Sequence, residues 1–179
     1  MLFKKTSLFG QAASCEVPLD WTDVSTLRTV PSHQEVYVDC SEVPGLQDSS
    51  VIIEILEREK IDDDQTAGTF FFTDLAKADE AVSFSIDAPR SCVLPSVSFL
   101  GTSATRVYIE GVQVKGKGSD SRSAKPVAVF MTVLRAKDYD ADILVTTHGA
   151  VDEFGSDCIR QVHKKISESL VFIDPTLFG

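Results

Sequence analysis

Residues 50–57 read SVIIEILE: five apolar residues, four of them β-branched, interrupted by Glu54 and closed by Glu57. Branching at Cβ favours a strand over a helix. In a strand, Val51, Ile53 and Ile55 share one face, and Ile52, Glu54 and Leu56 the other. Apolar residues on both faces predict a central strand covered on both sides. A buried carboxylate without a partner is costly. Glu54 is therefore paired, protonated or turned toward a face left partly open for a partner. Glu57 falls at the strand end, where the face is less constrained.

Working outward, residues 8–17 read as a short strand pair or a bent strand. DVSTLR (Asp23–Arg28) predicts one or two helical turns, with Asp23 or Ser25 as N-cap. Pro31 ends any helix, and Glu35–Asp39 alternates as a strand. Residues 40–50 form a polar loop with Pro44 and Gly45. Asp62–Asp64 is a loop or helix entry, and the triplet lacks the glycine and downstream glutamate of a calcium loop. A short helix is expected over 71–81. Strands are expected in VSFSIDA, in VSFLG and in RVYIEGVQV, with an exposed loop over Gly116–Pro126. Val127–Arg135 and Asp142–His148 form an antiparallel hairpin through AKDYDA. Ile159, Val162, Ile166 and Leu170 make one apolar stripe of a terminal helix that Ser156 or Asp157 can cap. The elements add up to an α+β fold: a three-layer α/β/α sandwich around a mainly antiparallel sheet, in one domain over 1–179.

The 179 residues carry 27 acidic against 17 basic side chains, a formal charge of −10. That balance argues against binding a phosphate backbone and favours a basic partner surface. The four cysteines, at 15, 40, 92 and 158, make no CxxC pair, so neither a metal cluster nor a redox dithiol is expected. The start, MLFKKTSLFGQAASC, is broken by Gly10 and Gln11, too short and polar for a signal-peptide core, and no run reaches transmembrane length. The reading is a soluble intracellular protein with no membrane contact, no metal and no cofactor.

Catalytic signatures are weak. GVQVKGKG (Gly111–Gly118) nearly matches a phosphate-binding loop, but Gly118 stands where Ser or Thr must hold magnesium, and the stretch reads as a hairpin loop. His33 lies in a loop, His148 ends a strand, and His163 is expected at the edge of the terminal apolar stripe. No GxSxG or HExxH motif surrounds them. No catalytic residue is assigned. A small hydrolase with a triad assembled in space remains an alternative.

Five segments carry a resemblance: LFG (Leu8–Gly10), DVSTLRTVPSHQEVYV (Asp23–Val38), SVIIEILE, VLRAKDYDADILVTTH (Val133–His148) and DPTLFG (Asp174–Gly179). In this order they resemble the Ran guanine nucleotide release factor family, the Mog-type Ran-binding proteins, over nearly the whole chain. Residues 60–125 match weakly. The resemblance implies an antiparallel sheet sandwiched by helices, shared with PsbP-like photosystem proteins, and hence a PsbP-like scaffold as a second alternative. It implies binding of the GTPase Ran and release of its guanine nucleotide in support of nuclear import, by a monomer of the nucleus and cytoplasm that performs no covalent chemistry. It ties Glu54 and Glu57 to Ran binding, and Asp23, Arg28, Pro31, Gln34 and Glu35 to nucleotide release. A regular strand points Glu54 and Glu57 opposite ways, so a bulge or twist after Ile55 is expected to bring them to one surface.

Overall fold

The computed structural model describes residues 1–40, 48–94, 99–117, 120–151 and 155–179. Its centre is an antiparallel sheet built from β3 (Trp21–Asp23), β4 (Gln34–Asp39), β5 (Ser50–Glu57), β6 (Ala81–Ile86), β8 (Ala104–Lys117), β9 (Asp120–Ala136) and β10 (Ala141–Ala150). The order is β3-β4-β5-β10-β9-β8-β6, and β7 (Arg90–Leu94) pairs with β8 in line with β6. A small second sheet, β1-β2-β11, joins β1 (Phe3–Leu8), β2 (Ala13–Pro18) and β11 (Val171–Phe172).

Two helices flank the large sheet. On one face α1 (Asp64–Ala78) sets Phe71 and Phe72 against Val107, Ile109, Val129, Met131, Val133 and Leu144. On the other face α2 (Gly155–Ser169) and the small sheet close a larger core. There Ile159, Val162 and Ile166 meet strand residues that include Val51, Ile53, Phe130 and Val145. The expected α+β layering and the apolar stripe of the last helix are both present. α2 begins at Gly155, so Ser156 and Asp157 lie inside its first turn, and the capping position falls outside the described residues.

Several expectations are corrected. α1 starts at Asp64, seven residues before the expected start, because the Asp63 carboxylate caps it by accepting the Thr66 N–H at 2.6 Å. Gly68 does not break this helix. A Cβ there would come within 2.8 Å of Ile109 and Val107, so the glycine lets α1 approach β8. Most of the loop expected over 116–126 is strand: β8 runs to Lys117 and β9 begins at Asp120. Pro126 is tolerated because β10 ends opposite Val127, leaving β9 a neighbour on one side only. The near-match to a phosphate loop is likewise strand through Lys117. Gly111 is there for close approach, since a Cβ would fall 2.2 Å from the Ser85 carbonyl oxygen. Phe99–Gly101 forms a turn, not a strand, with Leu100 and Gly101 at positive φ. The loop after Cys40 lies mostly outside the described residues.

One buried ion pair ties the β5–α1 connection to the sheet. Arg135 and Asp142 are both fully buried, with Arg135 Nε 3.0 Å from Asp142 Oδ1. The guanidinium also donates to the carbonyls of Glu59 at 2.7 Å and Ile61 at 2.8 Å, and Asp142 Oδ2 accepts the Glu59 N–H. These bonds give the buried charges hydrogen-bond partners, the condition under which such a pair is tolerated.

Candidate functional site

α1 lies over β8, β6, β9 and β7. Its contacts thin out toward β5 and β4, and against β4 lies instead the 3-10 turn Val24–Thr26. The consequence is visible along SVIIEILE. Val51 and Ile53, facing α2, are fully buried, whereas Ile52, Glu54 and Leu56, on the α1 side, are half-buried. Glu54 thus sits at the margin of the α1 layer, between Ile52 and Leu56 and with its side chain 22% exposed. Its neighbours in register are Leu144 on β10 and Gln34 on β4.

Glu54 is held from one side. Gln34 Nε2 donates to its Oε1 at 2.5 Å, and His33 Nε2 lies 3.5 Å from the same oxygen. The backbone repeats the connection, because the His33 carbonyl accepts the Ile55 N–H at 3.0 Å and the Pro31 carbonyl accepts the Gln34 N–H at 2.9 Å. The end of the 24–33 loop is therefore stitched to the strand that carries Glu54.

The loop itself starts on a cap: Asp23 Oδ1 accepts the Ser25 N–H at 2.8 Å and closes a 3-10 turn over Val24–Thr26. Asp23 and Ser25 were the two expected candidates for this cap, and Asp23 takes it. Beyond it Leu27, Arg28, Pro31 and His33 are exposed, Leu27 by 69%. Leu27 was not singled out from the sequence, and His33 was named only as a loop histidine. An apolar residue inside the polar run DVSTLRTVPSHQ was the available signal.

Glu35 and Glu57 depart from a single cluster. Glu35 pairs with Ile53, so its side chain leaves the face opposite to Gln34. Its Oε1 accepts the Phe9 N–H at 2.5 Å. Burial pushes the Glu35 carboxyl above its ordinary pKa, with the Phe9 amide pulling the other way. The β5–β10 ladder runs without a register shift from Ser50 to Glu57, which pairs with Ala141. The expected bulge after Ile55 is absent, and Glu54 and Glu57 point to opposite faces. Glu57 is exposed at the strand end.

The histidines assemble no triad. His163 is fully buried, not at an edge, and sits between the hydroxyls of Thr132 (2.8 Å) and Thr147 (2.9 Å), neither partner an acid. Burial pushes its pKa down to about 3, which keeps it neutral. His148 Nε2 lies 3.6 Å from Asp79 Oδ2, which also pairs with Lys115 Nζ at 2.8 Å. Burial works to raise the Asp79 carboxyl, but hydrogen bonds from His148 and Lys115 outweigh it and hold it below its ordinary pKa. Among the described residues no group of three or more His, Cys, Asp or Glu could hold a metal ion, and no helix is long and apolar enough to cross a membrane.

A family model described as Ran-interacting Mog1 protein matches residues 6–149, a span that contains the 24–33 loop, Gln34, Glu35, Glu54 and Glu57. The chain belongs to this family. It is 32% identical over 182 residues to the Ran guanine nucleotide release factor of Bos taurus, covering 96% of this chain and 95% of the relative. It is 27% identical over 193 residues to the nuclear import protein mog1 of Schizosaccharomyces pombe, covering 96% and 98%. The crystal structure of the Ran-binding protein Mog1p of Saccharomyces cerevisiae superposes with a TM-score of 0.80 at 21% identity, over all of both chains. That likeness establishes the Mog1 fold for this chain. The family match ends before α2 and before the C-terminal DPTLFG, whose Phe178 packs with Phe99, Tyr139 and Phe172. In this Mog1 family member that C-terminal motif therefore has a packing role.

Proposed function

We propose that this protein binds the GTPase Ran and promotes release of its bound guanine nucleotide, supporting nuclear protein import from the nucleus and cytoplasm as a monomer without covalent chemistry of its own. The observation that carries the reading is Glu54, a partly exposed carboxylate at the margin of the α1 layer, fastened to an exposed loop by Gln34 and His33. The names of the bovine and fission-yeast relatives point the same way.

A Lys or Arg of the GTPase would pair with Glu54. The −10 charge of the chain would steer that encounter toward a basic surface. Leu27, Arg28 and Pro31, presented by the attached loop, would then meet the GTPase around its nucleotide. Release follows if this protein binds the nucleotide-free GTPase more tightly than the loaded one, because a partner shifts an equilibrium only by its differential affinity. Carboxylates that compete for the cations around the phosphates, or docking that distorts the phosphate-holding loops, would supply that difference. No specific observation favours the scaffold or hydrolase alternatives.

The test is Ran loaded with a fluorescent guanine nucleotide, mixed with the native chain and with Glu54→Lys. Faster nucleotide loss with the native chain, and none with a folded variant, supports the reading. Binding without acceleration reduces the protein to a Ran-binding module. Neither binding nor acceleration ends the proposal.

A further inference from the structure

The turn between β1 and β2 has three consecutive residues at positive φ: Phe9 at 48°, Gly10 at 63° and Gln11 at 81°. Glycine adopts this region freely, whereas side chains with a Cβ are strained there. Two of the three positions are therefore occupied by the wrong kind of residue for the backbone they hold. The Phe9 ring packs against the core beneath α2, which explains one of them. Gln11 has no such explanation, because it is exposed, as is Gly10. A Cβ built on Gly10 meets nothing within 4 Å, so the crest of the turn faces open space.

The turn is also clamped. Glu35 reaches across from β4 and accepts the Phe9 N–H, and the Ala12 N–H returns to the Phe9 carbonyl at 3.2 Å. Glu35 follows Gln34, whose side chain leaves the other face and holds Glu54. Turn and carboxylate thus lie on opposite faces of the same end of β4, immediately after the 24–33 loop, and meet at its edge, because β3 pairs only with Tyr37–Asp39. Strain of this kind persists only where the surroundings enforce it, and it gathers at functional sites.

We propose that the Phe9–Gln11 turn is a third part of the surface that engages the GTPase, with the Gln11 amide making the contact and Glu35 a positioning residue that holds the turn. This inference rests on the Ran-binding reading above. It gives LFG a role and gives Glu35, which the resemblance ties to nucleotide release, a supporting one. The Gln11 side chain offers both a donor and an acceptor, which suits a backbone or polar side chain of the partner.

Three variants test it, each measured for thermal midpoint, affinity for Ran and maximal rate of nucleotide loss. Gln11→Gly relieves the strain and removes the contact. Its midpoint should rise by about 2–4 °C, and its affinity should fall about fivefold or more. Glu35→Ala should lower affinity to a similar extent. Glu35→Gln, whose amide oxygen still accepts the Phe9 N–H, should keep affinity within about twofold of native. A Gln11→Gly variant that gains stability but binds and releases as the native chain does would overturn the contact. One that loses stability would overturn the strain, and Glu35→Gln failing like Glu35→Ala would overturn the positioning role. A native chain that neither binds Ran nor speeds nucleotide loss would overturn this inference together with the functional reading.

Discussion

Gln34 Nε2 and Glu54 Oε1 meet at 2.5 Å across the register pair that joins β4 to β5. The same face also presents Val36, Ile52 and Leu56, so a Leu–Leu pair would suit it better than an amide and a carboxylate. Gln34→Leu alone leaves Glu54 without its donor and should cost about 1 kcal/mol, seen as a midpoint lower by roughly 2–4 °C. In a Glu54→Leu background that cost should vanish. The double variant should melt no lower than the native chain while failing to engage Ran. A full-sized Gln34→Leu cost in both backgrounds would mean that Gln34 serves the fold independently of Glu54.

Glu54 and Glu57 leave opposite faces of a ladder with no register shift. They should therefore act as independent contributors. Glu54→Lys, on the half-buried side, should cost about 2–5 kcal/mol of Ran affinity, and Glu57→Lys, exposed at the strand end, less than about 1 kcal/mol. Their sum should match the double variant to within about 0.5 kcal/mol. Affinities from the concentration dependence of nucleotide loss would measure all three. A strongly non-additive double variant would show that the two carboxylates converge on one partner group.

Much of this arrangement was readable from local pattern. β-branched runs gave β5, β9 and β10, and a 3.6-residue stripe gave α2. A carboxylate inside SVIIEILE was anomalous enough to mark Glu54. The misses are non-local. That Gln34 turns toward Glu54 while Glu35 turns away depends on which residues β4 and β5 align, and nothing within either segment encodes that register. α1 was placed late, and the role of Gly68 in its first half shows only once Ile109 and Val107 are seen pressing against it. Arg135 and Asp142 entered only as strand bounds, since their further partners are carbonyls and an amide of the 59–61 connection.

That connection makes the ion pair sensitive to removal of one member. Arg135→Met leaves Asp142 buried without its cation and releases the carbonyls of Glu59 and Ile61. It should cost about 3–5 kcal/mol. Replacing both, Arg135→Met with Asp142→Leu, should cost clearly less, because no buried charge is then left unpaired. Urea unfolding followed by circular dichroism gives both numbers. A double variant as unstable as Arg135→Met would place the loss in the freed carbonyls rather than in the orphaned carboxylate.

His163 gives the fold an acid sensitivity. Burial between Thr132 and Thr147 lowers its pKa to about 3, against about 6.5 in an unfolded chain. A depressed folded value means that the unfolded state binds the proton first. The stability contributed is complete above pH 6.5 and is lost as the pH falls toward 3. Between pH 7 and pH 5 the loss from this group is about 2 kcal/mol. His163→Gln can still bond both threonine hydroxyls but has no proton to take up in this range. It should start less stable at pH 7 and lose about 2 kcal/mol less than the native chain by pH 5. Urea midpoints at the two pH values test this directly. Parallel pH dependences in the two proteins would show that His163 is not the group that titrates on unfolding.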